Sequence, residues 1–155
     1  FSQNPPPKFA EAEWKKNCEF EIKRAAMLPL LRIADVKTQA LGDKLVKVTA
    51  KVVNEAYLPT NVTQIAVKNG IAKPVVVKLA LEGAEILSGE AETEVGHIKG
   101  TAPRVQAWYD PSTGVVNFRE LEWVVRLEGN KASATVTAVS QKAGTTSKKV
   151  DLQAK

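Results

Sequence analysis

The chain contains one histidine and one cysteine, and this scarcity excludes most catalytic chemistry. A single thiol cannot form an internal disulfide, and a zinc site usually takes two or more His or Cys ligands. The sequence has neither a Gly-x-Ser-x-Gly motif nor a glycine-rich phosphate loop. We therefore expect no catalytic, cofactor-binding or metal-binding residue here. His97 is expected to be a strand residue with a satisfied ring, and Cys18 a buried structural residue on a helix.

Long hydrophobic runs are also missing, since no apolar stretch approaches the roughly 20 residues of a membrane-spanning helix. We expect no membrane insertion. The net charge of +5 would suit an anionic partner, but the lysines are dispersed and alternate with glutamates. A nucleic-acid surface usually concentrates its charge together with arginine and aromatic residues, and only 6% of this chain is aromatic. We therefore expect no nucleic-acid partner.

Glycine and proline are absent from Lys8 to Met27, and here the apolar residues recur at spacings of three and four. That spacing predicts an amphipathic helix, which Pro29 ends. Residues 1–28 are interpreted as a Pro-rich linker followed by this helix. The expected apolar stripe consists of Trp14, Cys18, Ile22, Ala25 and Ala26, widened by Phe9 and Phe20.

After Pro29 the hydrophobic period changes to two, as in residues 46–52, where Val46, Val48, Ala50 and Val52 alternate with Lys47, Thr49 and Lys51. Turn residues interrupt the β-rich runs about every ten residues. We predict an all-β fold for residues 29–155: an antiparallel sandwich of seven to nine strands, immunoglobulin-like or fibronectin type III-like. A closed barrel is the lesser alternative. Strands are expected at 30–36, 46–52, 63–67, 75–81, 95–98, 104–109, 118–127, 132–140 and 145–152.

Two further groups of residues allow a functional interpretation. Trp108 and Tyr109 are candidates for stacking a sugar, whereas Trp123 alternates with apolar residues and is expected in the core. An acidic stretch offers oxygen ligands for Ca²⁺, but it lacks the spacing of a calcium loop and fits a solvated loop better. That stretch consists of Glu82, Glu85, Glu90, Glu92 and Glu94.

Several segments resemble the C-terminal part of bacterial zinc carboxypeptidases of the carboxypeptidase A type, which carry a β-sandwich after the catalytic domain. They occur in the same order and at similar spacing across nearly the whole chain. The matching segments are Asn4-Pro5-Pro6-Pro7, Met27-Leu28-Pro29-Leu30-Leu31, Val53-Asn54-Glu55-Ala56-Tyr57-Leu58-Pro59-Thr60, Ile98-Lys99-Gly100 and Lys142-Ala143-Gly144-Thr145.

The resemblance implies that the zinc ligands and the general base lie upstream of this chain, so that zinc is expected only in a catalytic domain that is missing here. It implies a secreted or periplasmic protein, and it makes the predicted helix similar to the last helix of that catalytic domain. The expected partner is then the upstream catalytic domain. A helix face without its partner would fold back on the sandwich or mediate self-association. The candidate interface residues are Phe9, Trp14, Cys18 and Ile22.

Two other functions remain open at this point. A carbohydrate- or cell-wall-binding module would use Trp108 and Tyr109. An independent small hydrolase would depend on His97, the single histidine of the chain. The hydrolase is therefore the weakest of the three hypotheses. Our interpretation is a non-catalytic accessory domain that stabilises or orients a zinc carboxypeptidase.

Overall fold

A computed structural model describes residues 6–101 and 116–154, which form a β-sandwich preceded by a long helix. Its two four-stranded antiparallel sheets have the strand orders β1-β2-β6-β4 and β5-β3-β7-β8. The predicted immunoglobulin-like sandwich is confirmed, and the eight described strands lie within the expected number. The elements are α1 Pro7–Ala26, β1 Leu31–Gly42, β2 Leu45–Asn54, α2 Gln64–Lys68, β3 Val75–Glu82, β4 Ala84–Ser88, β5 Glu92–Gly96, β6 Phe118–Leu127, β7 Lys131–Ser140 and β8 Gly144–Gln153.

Strict alternation produces the core. In β2 every second residue from Val46 to Asn54 is buried and the residues between them are half-buried, as the sequence pattern predicts. Strand β7 repeats the pattern in the opposite sheet, so the two inner faces pack together. The buried apolar residues include Leu31, Val46, Val48, Val52, Val75, Val77, Ile98, Trp123, Val125, Leu127, Val136 and Leu152.

A two-residue turn connects β1 and β2, as the Gly-Asp pair at 42–43 suggests. Asp43 and Lys44 both have positive φ, at 48° and 61°. Two left-handed residues in succession match the right-handed twist of the flanking strands, which is why short hairpins favour this turn. The turn sets Gly42 opposite Leu45, and two irregularities, between Ala40 and Gly42 and between Ile33 and Asp35, shift the register along the ten paired positions so that Leu31 lies opposite Asn54.

The acidic stretch forms strands rather than the solvated loop expected from its composition. Strand β4 pairs with β6 and strand β5 with β3, so the chain crosses from one sheet to the other between them. Gly89 makes this crossing possible, since a Cβ there would lie 2.5 Å from Trp123 Cδ1. Trp123 is buried as predicted, and its Nε1 donates to the Glu90 carbonyl at 2.8 Å.

The strand predicted at 63–67 is wrong, because residues 64–68 form the short helix α2. Thr63 caps the helix, with its Oγ1 accepting from the Ala66 amide at 3.3 Å. Asn69 and Gly70 end it. Only residues 65–67 are apolar here, and so short an apolar run fits either period, so tertiary context decides between helix and strand.

Helix α1 closely matches the predicted bounds, but its surroundings differ from the expectation. None of its residues is buried, so it does not fold back on the sandwich. Cys18 is exposed, and the expected burial of its side chain is wrong. Phe9 and Phe20 do not widen the stripe around Cys18, since at about 100° per residue both lie roughly opposite it. Helix α1 therefore carries two apolar faces.

Candidate interaction surface

No metal-binding cluster assembles in the described part of the chain. Across residues 6–101 and 116–154, no three His, Cys, Asp or Glu side chains could together hold a metal ion. In the same ranges, no helix is long and apolar enough to cross a bilayer. The calcium hypothesis therefore gains no support from the acidic stretch.

His97 follows the last residue of β5 and is only partly buried. Its backbone carbonyl accepts from Arg119 Nη2 at 3.3 Å. Its ring Nδ1 is buried and has no hydrogen-bond partner among the described residues, so the ring is not satisfied as expected.

Glu82 is the carboxylate whose titration is most clearly perturbed. Ser133 Oγ donates to its Oε2 at 2.7 Å, and Lys149 Nζ does so at 2.9 Å. Hydrogen bonds from Ser133 and then Lys149, with the charge of Lys149, lower the pKa of Glu82. These contacts join β3, β7 and β8 across the outer face of one sheet.

Ion pairs cover the outer faces of both sheets. Cross-strand pairs of opposite charge suit a surface that faces water, because exposed pairs add little energy but keep the face polar. In the strands that the structure describes, neither face therefore presents a broad apolar surface to a partner. The pairs that join two described strands are Lys47–Glu122 (2.8 Å), Lys51–Glu120 (4.0 Å), Arg126–Glu85 (3.4 Å), Lys78–Glu92 (2.8 Å) and Lys149–Glu82 (2.9 Å).

Large apolar side chains are instead exposed along α1. Trp14 is 65% exposed and Ile22 is 70% exposed, while Phe9 and Phe20 are about half exposed on the other face. The four predicted interface residues on the helix, Cys18 included, are thus all accessible. Large apolar side chains exposed together on one element in this way mark interaction sites in soluble proteins.

The second apolar region is one end of the sandwich, which we call the entry pole because α1 joins the sandwich there. It is the end at which β1, β3, β6 and β8 begin and β2, β5 and β7 end. Its described segments are 27–30, 55–74, 97–101, 116–117 and 141–143. The exposed large apolar residues in them are Met27, Leu28, Leu30, Tyr57, Ile65, Ile71 and Val116.

Asn54 organises the entry pole from within. It is fully buried, and its Oδ1 accepts from the amides of Leu30 at 3.0 Å and Ala56 at 3.2 Å. Its Nδ2 donates to the carbonyls of Leu58 at 2.8 Å and Lys99 at 3.2 Å. One side chain thus ties together three segments of the pole.

Thr60 and Gly100 add two further contacts within the pole. Thr60 Oγ1 accepts from the Ile98 amide at 2.9 Å. Gly100 lies against the Tyr57 carbonyl so closely that a Cβ there would overlap it. The exposed apolar residues of the pole therefore stand on a firmly held backbone.

The end of α1 is attached to the entry pole through the backbone. The Leu58 amide donates to the Met27 carbonyl at 3.0 Å. Beside this bond lies a groove of about 470 Å³ between the helix end and the sandwich, with Leu28, Leu30 and Ala56 among its lining residues. The groove makes the apolar surface of the pole continuous with the end of α1.

The aromatic pair proposed for sugar stacking, Trp108 and Tyr109, lies outside the described residues. Trp123, which the sequence pattern assigns to the core, is enclosed there. Among the described residues of the sandwich, Tyr57 is the one aromatic side chain that is largely exposed.

Residues 30–151 match the family model described as "Domain of unknown function (DUF8731)". The chain belongs to this family. The match begins just after α1, so the DUF8731 region contains all of the described strands except the last residues of β8. No curated protein matches the chain.

Among solved structures, the DUF8731 chain is similar to the GAE domain of GGA2p from Saccharomyces cerevisiae. The two are 7% identical, with a TM-score of 0.38 over 82% of this chain and 90% of the yeast domain. A likeness at this level supports no inference about function.

Sequence reasoning missed the part of the surface formed by the loop between β2 and β3. Ile65 and Ile71 are 69% and 61% exposed, although the strand predicted at 63–67 left no reason to expect this. The proline and glycine that bound residues 59–70 were the available signal, since they indicate a loop rather than a paired strand.

Proposed function

We propose that this chain is a non-catalytic accessory domain of a zinc carboxypeptidase, which packs on the catalytic domain and stabilises or orients it. The observation that carries the proposal is the uneven distribution of exposed apolar side chains. Apart from Leu41 and Leu87, the large apolar residues exposed in the described structure lie on α1 or at the entry pole. The outer faces of the sheets carry ion pairs instead.

The position of the resembling segments supports the same proposal. Residues 27–31, 53–60, 98–100 and 142–145 are far apart in sequence, yet all four reach the entry pole. If this pole faces a catalytic domain, the segments that resemble zinc carboxypeptidases would be the ones that form the contact with that domain. The proposal also includes a secreted or periplasmic location and a zinc ion held by the catalytic domain, both of which rest on the resemblance.

The two apolar faces of α1 add a second line of support. A surface helix buries one stripe, whereas a helix with apolar residues on opposite sides packs between two layers. Full burial of a large apolar side chain contributes about 1.5–3 kcal/mol. Trp14, Ile22, Phe9 and Phe20 together would therefore contribute several kcal/mol to the contact with a catalytic domain.

The test is deletion of residues 29–155 from the full-length carboxypeptidase, with thermal unfolding and peptidase activity measured on the same preparations. We expect the catalytic domain to melt at a lower temperature, while the activity per folded molecule on small peptides persists. Unchanged melting together with weaker retention on cell-wall polymers or polysaccharides would contradict the proposal, because it would assign a ligand-binding role to the sandwich.

A further inference from the structure

We propose that the entry pole docks on an acidic protein surface, one with an apolar centre and carboxylates around its rim. This inference deepens the proposed function, because it states the chemistry of the catalytic-domain surface that meets the sandwich. It rests on the charges that surround the exposed apolar residues of the pole.

The rim of the entry pole is basic. Four exposed lysines lie in its described segments, whereas the only carboxylate there is Glu55, which is paired with Arg32 at 2.6 Å. Within the described part of the chain, none of the four lysines has a carboxylate within 4.0 Å, in contrast to the paired lysines on the sheet faces. The four are Lys68, Lys73, Lys99 and Lys142.

The backbone holds these lysines at the same end of the sandwich as the exposed apolar residues. The Lys73 amide donates to Gln141 Oε1 at 3.3 Å, which places the start of β3 beside the turn that carries Lys142. The Lys99 carbonyl accepts from Asn54 Nδ2. Lys68 is the last residue of α2, in the loop that also exposes Ile65. An apolar centre with a charged rim is the usual anatomy of a protein interface.

A second copy of this chain is a poor occupant of the pole. A two-fold contact places the same patch on both sides, so the basic rims would meet each other. Like charges opposed across an interface are unfavourable. An acidic rim on a different surface removes that repulsion.

An anionic membrane is also a poor occupant. Helix α1 leaves the sandwich at this pole and carries four glutamates interleaved with five basic residues, and a uniformly negative bilayer attracts only one of these two signs. A protein surface can instead match both signs of charge locally. The glutamates are Glu11, Glu13, Glu19 and Glu21.

The test is zero-length carbodiimide crosslinking of the full-length protein, followed by mass spectrometry, because this reagent joins a lysine only to a carboxylate in direct contact. We expect links from the pole lysines to Asp or Glu outside residues 1–155. The pairs Lys47–Glu122 and Lys78–Glu92, each at 2.8 Å, serve as internal positive controls. If these controls link but the pole lysines do not, the inference is overturned.

Charge reversal supplies the second measurement. We expect the double variant Lys73→Glu with Lys142→Glu to lose the external crosslinks and to melt at a lower temperature in the full-length protein. Lys131→Glu, exposed at the opposite end of β7, is the matched control and should change neither. Equal behaviour of the double variant and the control would overturn the inference.

Vesicles of equal parts phosphatidylcholine and phosphatidylserine test the rival occupant. Binding of the 155-residue chain that the Lys73 and Lys142 reversals abolish would assign the lysines to a membrane and overturn the inference. The deletion of residues 29–155 distinguishes the two proposals. If that deletion leaves the catalytic domain unaffected while the crosslinks form, the proposed stabilising function fails and the acidic docking surface stands.

Discussion

Replacing Asn54 with alanine tests how the entry pole is held together. The side chain makes four hydrogen bonds to backbone groups, two as acceptor and two as donor, from a fully buried position. At a net value near 1 kcal/mol per bond, their loss amounts to about 4 kcal/mol. The orphaned amides and carbonyls add to this wherever water cannot reach them.

The assay is equilibrium unfolding of the 155-residue chain in urea, with the midpoint and the slope fitted separately. Asn54→Ala should lower the midpoint while leaving the slope unchanged, since the surface exposed on unfolding stays nearly the same. Asn117→Ala is the graded control, because its Nδ2 makes a single bond, to the Asn54 carbonyl at 3.0 Å, and should cost about 1 kcal/mol.

A loss below about 1 kcal/mol for Asn54→Ala would refute this account of the pole, since it would mean that water replaces the four bonds at little cost. A loss equal to that of Asn117→Ala would refute it as well. The comparison is informative because the two side chains lie at the same end of the sandwich, while Asn54 is fully buried with four bonds and Asn117 is half-buried with one.

Three further predictions concern other parts of the molecule. Gly100→Ala should destabilise the sandwich by about 2 kcal/mol or more through backbone overlap, whereas Gly129→Ala, with open space around it, should be nearly neutral in the same denaturation assay. The lowered pKa of Glu82 means that its contribution to stability is present above the ordinary carboxyl range and is lost as the pH falls through its folded pKa. In a carbon-13 NMR titration, the Ser133→Ala variant should have a higher Glu82 pKa than the unaltered chain. An unchanged Glu82 pKa would count against the Ser133 hydrogen bond as the main cause of the lowering. The isolated chain should self-associate through α1, and Trp14→Ser should weaken this about tenfold by sedimentation equilibrium. A monomer at high concentration would contradict it.

Much of the sandwich could be predicted because alternation is a local property. Residues 46–54 show which face of β2 is buried before any partner strand is known, and the same holds for β6 and β7. Helix α1 was predictable for a similar reason, since twenty residues without glycine leave few alternatives. The alternation of Trp123 with its apolar neighbours likewise predicted its burial.

Features that depend on contacts distant in sequence could not be predicted. The acidic residues of β4 and β5 look like a loop until the pairing of Glu85 and Glu92 with cations on neighbouring strands is known. Cys18 occupies a position typical of burial, but burial requires a partner that the described residues do not provide. The entry pole brings together segments spread over more than a hundred residues, so composition alone gives no sign of it.

The most direct test of the central claim is amide hydrogen exchange of α1 in the full-length protein and in the 155-residue chain. If α1 and the entry pole pack on a catalytic domain, the amides of residues 7–26 should exchange much more slowly in the full-length protein. Amides in the sandwich core, such as that of Val48, should exchange at similar rates in both. Equally fast exchange of α1 in the two proteins would show that the helix stays uncovered, and would contradict the account.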